Sequence, residues 1–284
     1  MARFDPHPDR RPAIVAGASS GIGAATATEL AARGFPVALG ARRVEKCQEL
    51  VAEIKANGGE AIALALDVTD ADSVKSFVHG ATEALGDIEL LVAGAGDTNF
   101  GRVHEMSTTE FEEQIQIHLI GANRLVTEVL PGMVQRRRGD VIFVGSDVAL
   151  RQRPHMGAYG AAKAALVAMV TNLQMELEGT GVRAAIVHPG PTRTSMGWSL
   201  SAEKIGPALE DWAKWGQARH DYFLRAQDLA RAITFVAETP RGGFIANLEI
   251  QPEAPLAEIK DRQKLALGED GMPGGNETTG ESKK

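Results

Sequence analysis

Residues 13–23 read Ala13-Ile14-Val15-Ala16-Gly17-Ala18-Ser19-Ser20-Gly21-Ile22-Gly23. Four apolar residues make a short, buried strand. The glycines then follow as G-x-x-x-G-x-G, and the apolar spacing from Ile22 to Arg33 predicts a helix. A strand that turns through glycines into a helix gathers free N–H groups and the positive end of a helix dipole at one point. Such a point suits a pyrophosphate, because glycine lets the backbone come close. Glycine strings alone are common in α/β proteins, and the strand–turn–helix context gives this one its weight.

The same alternation continues along the chain. Strands are expected at 37–41, 61–66, 90–93, 141–144, 182–188 and 247–250. Helices are expected at 44–56, 71–85, 108–134, 159–178 and 228–238. Ser107-Thr108-Thr109-Glu110 forms a capping box that opens the longest of them. The pattern predicts an α/β fold: a single-domain, Rossmann-type, doubly wound, mostly parallel seven-stranded sheet with helices on both faces. That domain is expected to span 1–255. Residues 256–284 form an extension, polar, Gly-rich and expected to be disordered from 268.

Composition narrows the function classes. The 284 residues hold 30 Lys+Arg and 37 Asp+Glu, a net charge of −7, which argues against nucleic-acid binding. The one basic cluster, Arg136-Arg137-Arg138, reads as a solvated helix end. A single cysteine, Cys47, excludes an internal disulfide and reads as a buried helix residue. No 18-residue apolar run is present, so no membrane helix is expected. Met1–Pro12 lacks the apolar core of a secretory signal, so the expected address is cytoplasmic. The histidines show no metal-binding spacing, and no metal is expected.

The end of the second strand selects a nucleotide. An acid there binds a ribose 2′-hydroxyl, and a basic residue binds a 2′-phosphate. This chain has Ala41-Arg42-Arg43 and no carboxylate at the turn, so NADP(H) is favoured over NAD(H). Tyr159 and Lys163 lie four apart on one helix face. An ammonium about 4 Å from a phenolate stabilises it by about 4 kcal/mol, which lowers the tyrosine pKa into a range useful for acid–base chemistry. Chance alone supplies Tyr-x-x-x-Lys in about a third to a half of chains this long. Its neighbours make it informative: Ser146 after the fifth strand can hydrogen-bond a substrate oxygen, and Pro189-Gly190 with Thr192 and Thr194 suits a carboxamide.

Taken together, these landmarks resemble the short-chain dehydrogenase/reductase family over about 13–252. They are the turn 17–23, Asp67-Val68, Ala93-Gly94-Ala95-Gly96, Ser146, Tyr159 with Lys163, and Pro189-Gly190 with Thr194. The resemblance implies roles. Tyr159 is the general acid/base, Ser146 orients the substrate oxygen, and Lys163 lowers the tyrosine pKa and holds the nicotinamide ribose. Gly17, Ser19, Ser20, Gly21, Ile22 and Gly23 hold the pyrophosphate, with Arg42 and Arg43 beside the ribose. Asp67 and Val68 meet the adenine, Gly94 and Ala95 pass the adenosine ribose, and Pro189, Gly190, Thr192 and Thr194 meet the carboxamide. It also implies a homo-tetramer or homo-dimer built through the long central helices. Three places depart: Ala16 stands where members usually carry Thr, Ala93-Gly94-Ala95-Gly96 stands for their Asn-Asn-Ala-Gly, and the third is in the central helix. Members carry a catalytic asparagine thirteen residues before a Pro and three before a Gly, and counting from Pro131 and Gly121 gives His118. Histidine can donate and accept hydrogen bonds, so His118 is read as part of the proton relay, with disruption of that relay as the other reading. His155 reads as a loop side chain.

The stretch 195–227 interrupts the alternation and is read as a substrate lid. It holds Trp198, Trp212 and Trp215, with Met196, Leu200, Ile205, Leu209, Tyr222 and Phe223. Leu209, Trp212 and Trp215 are expected on one helical face, which either packs on the sheet or a subunit neighbour or lines a pocket for a lipophilic ketone, aldehyde or alcohol. The expected function is an NADP(H)-dependent oxidoreductase acting on a small carbonyl or alcohol. A second reading, an NADP-binding regulator with weak or no catalysis, stays open on Ala93, Gly94 and His118. A glycine-turn methyltransferase has no use for the Tyr–Lys pair.

Overall fold

The computed structural model describes residues 4–194, 196, 202–217, 220 and 222–256. The strands are β1 Ala13–Ala16, β2 Val37–Ala41, β3 Ala61–Ala65, β4 Leu90–Ala93, β5 Gly139–Val144, β6 Val182–Pro189, β7 Thr192–Arg193, β8 Leu224–Arg225 and β9 Asn247–Ile250. Seven form one parallel sheet in the order β3-β2-β1-β4-β5-β6-β9. The order runs outward in opposite directions from β1 and β4. A crevice therefore opens at the C-terminal ends of those two strands, the switch point where α/β sheets bind ligands. β7 and β8 pair only with each other and were not foreseen from the sequence.

The helices are α1 Gly21–Ala32, α2 Val44–Ala56, α3 Ala71–Leu85, α4 Thr108–Ile115, α5 Gly121–Arg136, α6 Gly157–Glu176, α7 Ala202–Lys214 and α8 Ala226–Glu238. Alternate strand residues point to opposite faces. Ile14, Ala16, Leu91 and Phe143 pack with α3, α5 and α6, while Ala13, Val15, Leu39 and Ile142 pack with α1, α2 and α8. Burial on both faces is why these strands read as continuous apolar runs. Cys47 is buried in α2, as expected.

Three expectations need correction. The long helix at 108–134 is broken: α4 ends at Ile115, a π-helical turn covers Gln116–Ile120, and α5 follows. The expected capping box at Ser107 and Glu110 is present. The arginine cluster is more than a solvated end. Arg136 donates to Ile88 O at 2.9 Å, Arg138 pairs with Glu89 at 2.8 Å, and Arg137 ends α5 in a left-handed conformation. Finally, α6 starts at Gly157, a little before the expected 159.

Contacts divide the chain into Met1–Pro252 and Glu253–Lys284. Of the second unit, residues 253–256 are described and carry no helix or strand. The expected disordered stretch from 268 lies outside the described residues, as do Trp198 and Leu200 of the expected lid. No helix among the described residues is long and apolar enough to cross a membrane.

Candidate active site

The loops after β1, β2, β3, β4, β5 and β6 frame one cavity of about 1100 Å³. It is lined by every predicted cofactor residue and by Ser146, Tyr159 and Lys163. His118 is not on its wall but stands directly behind it.

The glycine turn is fixed by close approach. Gly17 has φ +85°, and a Cβ there would come within 2.8 Å of the Ala95 and Gly94 backbone. A Cβ on Gly23 would meet Gly17 O at 2.2 Å. α1 has no side-chain cap and no acidic residue in its first turn, so its positive end can serve an anion. Arg43 Nη2 donates to both Ser19 Oγ and Ser20 Oγ at 3.1 Å. Arg42 lies nearer Asp67. The Thr69 hydroxyl first, and the Arg42 charge among lesser causes, hold the Asp67 carboxyl below its ordinary value. This glycine cradle fits a dinucleotide phosphate. The missing side chain of Gly94 is also explained, because a Cβ would sit 3.2 Å from both Ala16 O and Val144 Cγ2.

Ser146 caps a short turn, Asp147–Ala149, accepting from Val148 N at 3.2 Å. Ser146 and Tyr159 line the same cavity. Lys163 Nζ donates to Val144 O at 2.7 Å and lies 5.7 Å from the Tyr159 ring centroid. Tyr159 and Lys163 are both buried. The expectation that Lys163 lowers the tyrosine pKa does not hold for the protein alone. Burial pushes the Tyr159 phenol up to about 12, with the nearby Ser146 hydroxyl as the main opposing influence. Burial also pushes the Lys163 ammonium down to about 7. A lysine that is readily neutral gives its neighbour little positive field.

The π turn delivers His118 to the Tyr159 ring, edge to face, with centroids 5.0 Å apart. Its Nε2 lies 2.6 Å from Asp97 O, a carbonyl that only accepts. Nε2 therefore carries the proton and Nδ1 is left as an acceptor. Burial first, and Lys163 next, push His118 well below its ordinary pKa, so the ring is neutral. Gly96 makes this seat possible, since a Cβ there would lie 2.6 Å from His118 Cε1.

α7 contributes Leu209 and Trp212 to the cavity wall. Trp212 Nε1 donates to Pro154 O at 2.8 Å, and its ring tilts against Phe100 at 5.7 Å. His155 Nε2 meets Asp211 Oδ2 at 2.8 Å, so His155 ties the loop to α7 and is absent from the cavity wall. The single apolar face expected for Leu209, Trp212 and Trp215 splits. Trp212 packs inward, Leu209 borders the cavity half-exposed, and Trp215 lies past the helix end, 63% exposed.

The family model described as short chain dehydrogenase matches residues 11–205. The chain belongs to the short-chain dehydrogenase family. It is 36% identical, over 84% of its length and 95% of the other's, to an uncharacterized oxidoreductase of Listeria monocytogenes. It is 35% identical over 84% of its length to a glycine betaine reductase of Emericella nidulans, and spans only 18% of that protein. Among solved structures it resembles an alcohol dehydrogenase of Thermococcus sibiricus complexed with 5-hydroxy-NADP. The TM-score is 0.74 and the identity 30%, covering 87% of this chain and 100% of that one. This short-chain dehydrogenase is thus an oxidoreductase enzyme with structural neighbours that bind NADP. Sequence reasoning missed Asp147, Arg153, Met156 and Gln251 on the cavity wall of this family member. Only Asp147 carried a signal, its place beside Ser146. Among the described residues no cluster of His, Cys, Asp or Glu is arranged to hold a metal.

Proposed function

We propose that this chain is an NADP(H)-dependent oxidoreductase that interconverts a lipophilic ketone or aldehyde and its alcohol, with Tyr159 as general acid/base. The observation that carries this is that Ser146, Tyr159 and Lys163 line the same cavity as the glycine turn. Gly17 to Gly23 hold the pyrophosphate, Arg42 and Arg43 favour a 2′-phosphate over a bare ribose, and Asp67 and Val68 border the adenine. Gly94, Ala95, Pro189, Gly190, Thr192 and Thr194 complete the cofactor wall. The cofactor, when bound, supplies or takes up the hydride.

Ser146 orients the substrate oxygen, and Tyr159 gives it a proton in reduction. With the phenol held near 12, Tyr159 is in its acid form throughout the neutral range. That acid form is the one reduction needs, and oxidation, which needs the base form, speeds up as pH rises. His118 serves the proton relay as a neutral acceptor through Nδ1, in place of an asparagine amide. Met156, Leu209, Trp212, Tyr222 and Phe223 give the substrate end its apolar character and support a lipophilic substrate. The stretch 195–227 acts as the lid. The resemblance further supports a homo-dimer or homo-tetramer through α5 and α6, which carry Val126, Leu130 and Leu173 along a shared groove.

The test is an absorbance screen at the NADPH band against a carbonyl and alcohol panel, with NADH alongside. Turnover rising from short to long or cyclic substrates, and abolished in Tyr159→Phe, is expected. NADPH binding without any turnover would favour the regulator instead.

A further inference from the structure

Beside Tyr159 lies a second buried charge system. Asp147 directly follows Ser146 and is 2% exposed. Its carboxylate takes both arms of Arg153, Nη2 at 2.5 Å and Nη1 at 3.3 Å. Gln251 Nε2, from the segment after β9, donates to the same carboxylate at 3.3 Å. The Arg153 guanidinium also lies 5.7 Å from the Trp212 ring centroid on α7. One ion pair thus joins the Ser146 turn, the end of the sheet and α7. Buried ion pairs are costly to desolvate and weak as a source of stability, so a role in the local field is the better account of this one.

We propose that Asp147 and Arg153 are a positioning pair for the acid/base: they hold the Ser146 turn and balance the electric field at the Tyr159 hydroxyl. The inference rests on the role proposed above for Tyr159. The two charges act on that hydroxyl with opposite sign, Asp147 disfavouring the phenolate and Arg153 favouring it. Three further ionisable groups stand around this wall besides Arg151 and Glu249: Lys163 from α6, His118 from the π turn, and His188 from β6, whose Nδ1 donates to Ser146 O at 3.0 Å. Burial drives all three toward their neutral forms. Arg151 and Glu249 pair with each other, and Gln251 also donates to Glu249 at 2.8 Å, so a second ion pair adjoins the first.

The chain has two tyrosines, so Tyr222→Phe leaves Tyr159 alone. Tyrosine labelled with ¹³C at Cζ then reports its ionisation by NMR, with no turnover required. In that background Asp147→Asn should raise the phenolate fraction at a fixed alkaline pH several-fold. Arg153→Met should lower it several-fold, and the double variant should return close to the parent. Damage to packing moves both single variants the same way or neither, and either result would overturn the proposal. Should Arg153→Met fail to fold, Arg153→Lys keeps the charge and should hold Tyr159 near the parent; a shifted ionisation in that folded variant also refutes the pairing. Opposite shifts together with an inactive carbonyl panel would reject the proposed function and leave the field assignment standing.

Discussion

At the residue scale, His118 and the arginines after β2 are the positions most open to test. In its seat against the Tyr159 ring, His118 donates from Nε2 to Asp97 O and keeps Nδ1 as a buried acceptor without a hydrogen-bond partner. An asparagine amide can do both. His118→Asn should therefore keep most of the turnover. His118→Leu strands the Asp97 carbonyl, at a cost of about 1–3 kcal/mol in stability, and should cut turnover strongly. Steady-state rates and a melting curve on both variants check this, and full activity in the leucine variant refutes it. Arg42 and Arg43 divide the work differently. Arg43 is engaged with Ser19 and Ser20, while Arg42 stands toward Asp67. A charge-assisted hydrogen bond is worth about 1.5–3 kcal/mol. Arg42→Ala should then raise the KM for NADPH about ten- to hundredfold and leave NADH nearly untouched; equal effects on both cofactors would remove the 2′-phosphate assignment.

At the scale of elements, the sheet was legible because doubly buried strands are short apolar runs between turn residues. The glycine turn and Tyr159 with Lys163 were legible because each is local in sequence. The break at Gln116–Ile120 was not, since Gln-Ile-His-Leu-Ile has no proline or glycine to mark a wide turn. Nor was the direction of the Tyr159 shift, because burial is a property of the assembled site and outweighs a favourable neighbour. α7 fell between these cases. Its helical face was visible, but the three hydrogen-bonding and ring partners that turn Trp212 inward come from residues 100, 153 and 154, far away in sequence. Those contacts make a prediction about the element. Trp212→Ala removes the tie to Pro154 and the packing on Phe100. The KM for bulky substrates should rise at least tenfold, with the NADPH dissociation constant unchanged. A loss of NADPH affinity of the same size would mean that α7 supports the cofactor rather than the substrate.

At the scale of the whole molecule, buried bases make stability depend on pH in a calculable direction. His7, His118 and His188 all have pKa values pushed below the ordinary 6.5, burial being the first cause in each. Below that value the unfolded chain takes up protons that the folded chain refuses. Stability is therefore held above about pH 6.5 and lost progressively as pH falls below it. Lys163 extends the same slope upward. Its folded value is near 7 against an ordinary 10.5, so between those limits the unfolded chain again binds the extra proton and stability keeps rising with pH. Denaturant midpoints measured from pH 5 to 9 should climb throughout. His118→Asn should flatten the acid part and Lys163→Met the part above neutrality. The two effects should add, because they act in separate pH windows; a midpoint that peaks near neutrality in the parent would show that Lys163 is charged in the folded protein.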